Sequence, residues 1–349
     1  MITGTANNGR TGVGTCPVLE EAFLQQGFEL GNLDDSQILV SLNHNASASR
    51  KFRNNGQSNK SFFLIALEPK SVYPAQYSQR ILNLYDHCFF PGNIERQQTS
   101  SGILGWPYLF NQNPASPKSS ETLLSDHLNL MFQNQIFDLK NWIQRKSSLT
   151  MVAANKVSPT NENLYGLRRG IASLLGPEEL KLYGPLWSSS LIEQAKHRLG
   201  VLAFSLKSYH FPNLISIFGA LGRQYPCALG PVEDKHSILR DSKFSLVIEN
   251  SSENITEKLF DAMINGAIPI YIGPNLQKSG IPDGVAIQGL SDAKSISRRI
   301  HTISEEEVSQ HLLAISEFLQ SPDFLNVWDN YSAFNKVANE ISLRIRAQG

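Results

Sequence analysis

Four groups of residues in this chain have types and spacings that could do chemistry. Asn250 to Lys258 (NSSENITEK) sits between an apolar run, Phe244 to Ile248, and apolar residues at helical spacing from Ile255 to Ile264. A helix start offers free N–H groups and partial positive charge, and Lys258 adds a full charge, which together suit a diphosphate. Glu257 could take ribose hydroxyls; equally, Asn254-x-x-Glu257 has the spacing of a capping box, in which Glu257 only closes the helix start. Glu68 is the first polar residue after the apolar run Phe62 to Leu67. It is either a general base, its pKa raised in a cleft, or a loop carboxylate in solvent or paired with Lys70. Arg168, with Arg169 beside it, either grips a phosphate with paired donors or is a solvated helix arginine.

The fourth group, Gly4 to Thr11, is spaced as G-x-x-x-x-G-R-T with Arg10 where a P-loop has its lysine. An arginine does not replace that compact charge, so the stretch reads as a tight glycine turn beside a cleft rather than a nucleotide-hydrolase loop. There is no D-x-D, no histidine cluster, no G-x-S-x-G and no C-x-x-C. His44, His210 and His236 are no more than candidate cleft residues. No metal site or cofactor is expected.

The elements that must position these groups follow from hydrophobic periodicity. Lys243 to Pro274 reads strand, polar loop, helix, then a second strand after Gly266: the βαβ unit of a parallel sheet. Its polar loop falls at the carboxyl end of the first strand, where open α/β sheets bind ligands. Ahead of it the pattern predicts strands at 1–3, 37–42, 62–67 and 87–90, and helices at 20–26, near 74 and at 121–145. Residues 43–60 and 91–120 read as loops, the second a structured one around Trp106 to Phe110. Beyond a composition change at Lys146-Ser147-Ser148 come strand 149–154, helix 165–175, strand 179–183 and a helical region at 189–206. After the βαβ unit come a short strand at 285–287 and helices over 291–347, broken near Ser321-Pro322. Alternating strands and helices predict two α/β domains facing across a cleft, 1–147 and 148–320, with a C-terminal helical segment, 321–349, that packs back on the first domain.

At 349 residues the chain is long enough for two cores. Lys plus Arg and Asp plus Glu are 31 each, so no net field points to a nucleic acid partner. Three scattered cysteines fit buried thiols in a reducing, cytoplasmic setting rather than a disulfide framework. No apolar run reaches the roughly 18 residues of a membrane span, and the N-terminus lacks a signal-peptide pattern. Peripheral contact with the inner face of a membrane stays open.

The central stretch resembles the donor-binding signature of glycosyltransferase family ten, the α-1,3/1,4-fucosyltransferases. Lys243-Phe244, Glu249-Asn250-Ser251, Ile255-Thr256-Glu257-Lys258, Gly266-Ala267-Ile268-Pro269-Ile270 and Gly273 meet it in order. Looser resemblance covers Leu67-Glu68-Pro69, Arg168 with Ile171 and Leu175, Leu182-Tyr183-Gly184 and Asp234-Lys235. It implies a GT-B fold and inverting transfer of fucose from GDP-fucose to a glycan hydroxyl, with no obligatory metal. It further implies that Arg168 and Lys258 stabilise the diphosphate, Glu257 holds the ribose, Asn250 helps seat the donor and Glu68 is the base. The chain departs from the family at Asn254, where the signature has tyrosine, and in a short spacer before it, which bears on the donor sugar. Other readings are a GT-B transferase using another nucleotide sugar, or a catalytically silent glycan- or nucleotide-binding relative.

Overall fold

The computed structural model describes residues 2–7, 17–54, 56, 59–91, 100–103, 120–207 and 211–348. They form two compact units, 1–126 with 322–349, and 127–321. The division falls inside a helix, ahead of the composition change at 146–148. The reason is that Trp142 Nε1 donates to Lys243 O (2.9 Å) and Arg145 Nη1 to Ser242 O (2.9 Å), which ties the residues before 147 to the second unit.

Unit 1 is built on a parallel sheet of order β2-β1-β3-β4-β5-β6. Its strands are β1 (Ile2–Asn7), β2 (Leu30–Gly31), β3 (Ile38–Leu42), β4 (Ser61–Ile65), β5 (His87–Pro91) and β6 (Ser100–Ile103). Helices α1 (Pro17–Gln25), α2 (Ala46–Arg53) and α3 (Gln79–Leu82) connect them, and α4 (Ser120–Gln133) crosses the division. The last two helices of the chain, α13 (Pro322–Trp328) and α14 (Asn330–Gln348), belong to this unit. Ala333, Phe334, Val337, Ala338 and Ile341 of α14 share one core with Leu19 and Phe23 of α1 and with Val40, Phe63 and Ile65 of the sheet. Four-residue and three-residue spacing gives α14 the stripe that covers the strands.

Two expectations for this unit change. Gly4 to Asn7 is strand rather than turn: β1 continues, with a register shift between Thr3 and Ala6, because Ala6 and Asn7 pair with Ser41 and Leu42 of β3. Residues 8–16, including Cys16, lie outside the described residues, as do Trp106 to Phe110 and His210. Residues 43–60 hold α2, whose start is capped by Asn45 Oδ1 accepting from Ala48 N (3.0 Å) and whose buried stripe is only Ala48, Ser49 and Phe52. In the expected loop 91–120, Ser100–Ile103 is an edge strand paired with β5.

Unit 2 carries a second parallel sheet, β9-β8-β7-β10-β11, from β7 (Ser147–Val152), β8 (Lys181–Tyr183), β9 (Ala228–Gly230), β10 (Ser242–Ile248) and β11 (Ile268–Ile272). Its helices are α5 (Leu139–Ile143), α6 (Tyr165–Leu174), α7 (Leu191–Lys207), α8 (Leu214–Phe218), α9 (Lys235–Arg240), α10 (Glu257–Ile264), α11 (Ala293–Thr302) and α12 (Glu305–Gln320). Strand order reverses between β7 and β10, so the crevice at their carboxyl ends is the topological switch point. β10 is buried along both faces, as its near-continuous apolar sequence requires. Gly266, at φ +68°, ends α10; a Cβ there would meet Arg145 Nη2 at 2.6 Å. Ile287 meets Ile270 in an isolated parallel bridge, the short strand expected at 285–287.

Candidate functional site

The switch point of unit 2 is organised by a carboxylate that follows β10. Glu249 is fully buried, and its two oxygens accept from Thr256 N (2.9 Å) and Thr256 Oγ1 (2.6 Å). Lys258 Nζ donates to Thr256 Oγ1 (2.7 Å) and lies 3.8 Å from both Glu249 Oε2 and Glu257 Oε1. Burial pushes the Glu249 carboxyl up, against the opposing pull of Lys258 and the bonds from Thr256. Gly273, the residue after β11, permits this approach, since a Cβ there would meet Glu249 Cγ at 2.6 Å.

The arrangement leaves the start of α10 open. Thr256 is its N-cap residue, yet the hydroxyl is engaged by Glu249 and Lys258 and makes no cap bond. By contrast α9, α11 and α12 are capped by Asp234, Asp292 and Ser304, the last in a full capping box with Glu307. The capping box, one of the two readings of Asn254 and Glu257, does not form, since the N-cap position falls on Thr256. Asn254 is buried two residues ahead of the cap, where its Oδ1 accepts from Ser251 Oγ (3.5 Å). Glu257 is the first helical residue, its side chain about one-third exposed. Burial acts to raise its carboxyl, but Lys258, Lys235, a bond from its own main-chain N–H and, least, Lys156 outweigh burial and hold it below the usual carboxylate range. A helix start without a side-chain cap bond, with Lys258 beside it, has the elements of an anion site, its cations set against Glu249, Glu257 and Asp261.

Of the neighbouring charged groups, Asp261 was not singled out from the sequence. Lys235 Nζ bonds Asp261 Oδ2 (2.6 Å), and Asp261 lies one turn after Glu257 on the same face of α10. Burial pushes the Asp261 carboxyl up to about 7, and its other oxygen has no partner among the described residues. The four-residue spacing of Glu257, Asp261 and Asn265 was the available signal. Asn265 Nδ2 meets His236 Nδ1 (2.8 Å), and His236 is buried, its pKa lowered to about 4 by burial and Lys235. His236 is therefore a neutral core residue.

Arg168 is not a solvated helix arginine, nor does it present its guanidinium to solvent. It is 2% exposed, donates to Ala154 O (3.2 Å), Ile248 O and Glu249 O (3.2 Å), and lies 3.4 Å from Asn250 Oδ1. These bonds join the carboxyl ends of β7 and β10 at the switch point. Arg169 is also buried and donates to Lys156 O (2.8 Å), which fixes the main chain there. Asn250 is half-buried, and its carbonyl accepts from Leu164 N (3.0 Å).

Glu68 belongs to unit 1, just past β4, and is half-buried. Its main chain is held from both sides. Asn43 Oδ1 accepts from Leu67 N (2.9 Å) and Glu68 N (3.0 Å), while Gln76 Nε2 (2.8 Å) and Tyr77 OH (2.9 Å) donate to Glu68 O. Asn43 adopts φ +56°, a conformation asparagine tolerates, and it follows β3 at the reversal of strand order in this sheet. His44 beside it is buried, with Nδ1 2.8 Å from Tyr85 OH; burial and Arg53 lower its pKa to about 4. Sequence reading missed Asn43, Gln76 and Tyr77. The buried thiols Cys88 and Cys227 are free.

No family model matches the chain. In fold it is similar to HepE (Alr3699) of Anabaena in complex with UDP, with a TM-score of 0.52 at 11% identity over 98% of this chain and 99% of that one. It is similar to an α1,3-fucosyltransferase with a TM-score of 0.50 at 16% identity, over 99% of this chain and 90% of that one. The fold is GT-B, built from two Rossmann-like parallel α/β units with C-terminal helices. Among the described residues no helix is long and apolar enough to cross a membrane.

Proposed function

We propose that the chain is an inverting glycosyltransferase that moves a sugar from a nucleoside-diphosphate sugar to a hydroxyl of a glycan, and that the donor is GDP-fucose. The observation that carries the reading is the first turn of α10 at the switch point of unit 2, which has no side-chain cap bond and holds Lys258 against Thr256. The signature residues that resemble the fucosyltransferase family fall on this same turn and strand, and an α1,3-fucosyltransferase is among the fold neighbours.

In this reading Lys258 and the first N–H groups of α10 take the diphosphate, Glu257 takes the ribose hydroxyls, and Asn250 and Asn254 shape the loop that seats the donor. Arg168 acts by holding the strand ends together rather than by touching phosphate. The bond from the anomeric carbon to the diphosphate breaks as the acceptor oxygen enters from the other side. Glu68 accepts the hydroxyl proton, and GDP leaves. Lysines and helix amides already aimed at the diphosphate stabilise the charge that develops on it, so the reaction as proposed needs no obligatory metal.

A second reading, transfer from a UDP-sugar, is favoured by HepE, solved with UDP, and by asparagine rather than tyrosine at 254. Thermal-shift measurement against GDP, GDP-fucose, UDP and UDP-glucose separates the two. Stabilisation by GDP and GDP-fucose is expected; stabilisation by the uridine nucleotides alone overturns the fucose assignment. Donor binding without transfer to any glycan would mark a silent relative.

A further inference from the structure

The hydroxyl of Thr256 stands between an ammonium and a carboxylate, and that placement fixes the direction of both bonds. An ammonium only donates and a carboxylate only accepts. Thr256 Oγ1 therefore accepts from Lys258 Nζ (2.7 Å) and gives its single proton to Glu249 Oε2 (2.6 Å). The anchor of this bridge is rigid. Glu249 is fully buried and its other oxygen accepts from Thr256 N (2.9 Å), so Thr256 is held through main chain and side chain at once. Thr256 is itself 1% exposed, and its branched side chain further restricts rotation about χ1.

What the bridge sets is the lysine. Lys258 is the second residue of α10, where helical side chains lean toward the N-terminus. Its ammonium is 3.8 Å from both Glu249 Oε2 and Glu257 Oε1, beyond hydrogen-bond reach of either. One of its three N–H donors goes to Thr256, which holds it between the two carboxylates rather than on one of them. Without the hydroxyl, the ammonium is free to close on Glu249 or Glu257 as a direct ion pair, because the attraction grows as the distance shortens. A cation paired in that way has less charge and fewer donors to offer an incoming diphosphate. The same hydroxyl makes no cap bond to α10, so it does not compete with a ligand for the first amides of the helix.

We propose that Thr256, anchored by Glu249, is a positioning residue that holds the Lys258 ammonium off its flanking carboxylates so that it meets a diphosphate. This rests on the reading of the turn as a diphosphate site. The test is calorimetric titration of GDP and UDP, each beside its nucleoside, into wild type, Thr256→Val, Thr256→Ser, Lys258→Ala and Thr256→Val/Lys258→Ala. Thermal midpoints confirm intact folds, and Thr256→Cys, whose thiol is a weak acceptor, replaces a valine variant that does not fold. Thr256→Val should weaken the diphosphate that wild type binds by about fivefold or more, with nucleoside binding unmoved and Thr256→Ser recovering the loss. The double variant should bind no more weakly than Lys258→Ala, because Thr256 acts through the lysine. Wild-type affinity in Thr256→Val, an equal loss for the nucleoside, or losses that add in the double variant overturn the inference and leave the diphosphate reading standing. Absence of GDP and UDP binding, or wild-type affinity in Lys258→Ala, overturns that reading and this inference with it.

Discussion

The two sheet edges that carry the candidate chemistry are built from opposite materials. In unit 1 the end of β4 is held by neutral groups: Asn43, Gln76 and Tyr77 bond the main chain of Glu68, and His44 nearby is buried and uncharged at neutral pH. In unit 2 the end of β10 is held by charge, with Glu249, Glu257 and Asp261 set against Lys258 and Lys235. A neutral frame fixes the main chain that carries Glu68 through hydrogen bonds alone. A charged frame stores cations near balance, ready for an incoming anion to tip. The contrast teaches that the two edges should fail differently: one through geometry, the other through electrostatics.

The largest expected effect tests the neutral edge. Glu68→Gln should lower transfer by roughly 10²–10⁴-fold with the nucleotide dissociation constant unchanged, since only the proton acceptor is lost. Steady-state rates and calorimetry on one preparation check this, and normal transfer would remove Glu68 as the base. Next is Arg168→Leu, which strips three carbonyls of their donor at the switch point. It should cost unit 2 about 3 kcal/mol, read by urea denaturation, and loosen the charged edge as a whole.

A pH series sharpens the comparison further. Burial lowers both His44 and His87 of unit 1 to about 4. Their folded pKa values lie below the unfolded value, so the stability they contribute is full above about pH 6.5 and is lost as pH falls toward about 4. Asp261 of unit 2 has the opposite sign. Raised to about 7, its contribution is full below the ordinary carboxylate range and is lost as pH rises through 7, which offsets His236. From pH 6.5 to 5 unit 2 of Asp261→Asn, in which His236, His127 and His197, all lowered by burial, are no longer opposed, should therefore weaken more than unit 2 of the wild type. Hydrogen exchange followed on peptides from the unit 2 sheet of both chains measures this, and equal weakening would contradict it. The smallest effect is Asn43→Ala, expected to cost about 1–2 kcal/mol in unit 1 and to slow transfer without changing nucleotide affinity.

How much of this was legible in the sequence follows the range of the interactions. β4, β10, α10 and β11 are written in local apolar pattern, and two α/β domains follow from their alternation, while the GT-B expectation came from the resemblance of the signature residues to a family. α2 was missed because one cap, Asn45, and a stripe as short as Ala48 and Phe52 leave almost no periodicity. Arg168 was read as facing a ligand or solvent because arginine is rarely buried; its carbonyl partners at Ile248 and Glu249 are distant in the chain. The hold of Asn43 and Gln76 on Glu68 likewise depends on how strands are ordered, which no local window carries. The capping box failed for a different reason: Glu249, a strand-end residue, draws Thr256 into the cap position and displaces Asn254.

The central claim is that the open turn of α10 binds a diphosphate through Lys258. Calorimetric titration of GDP and of guanosine into the wild-type chain and Lys258→Ala tests it most directly. The account predicts that GDP binds wild type much more tightly than guanosine does, and that Lys258→Ala weakens GDP by about tenfold or more while leaving guanosine unchanged. Equal affinity for GDP and guanosine, or GDP binding untouched by the loss of Lys258, would contradict it.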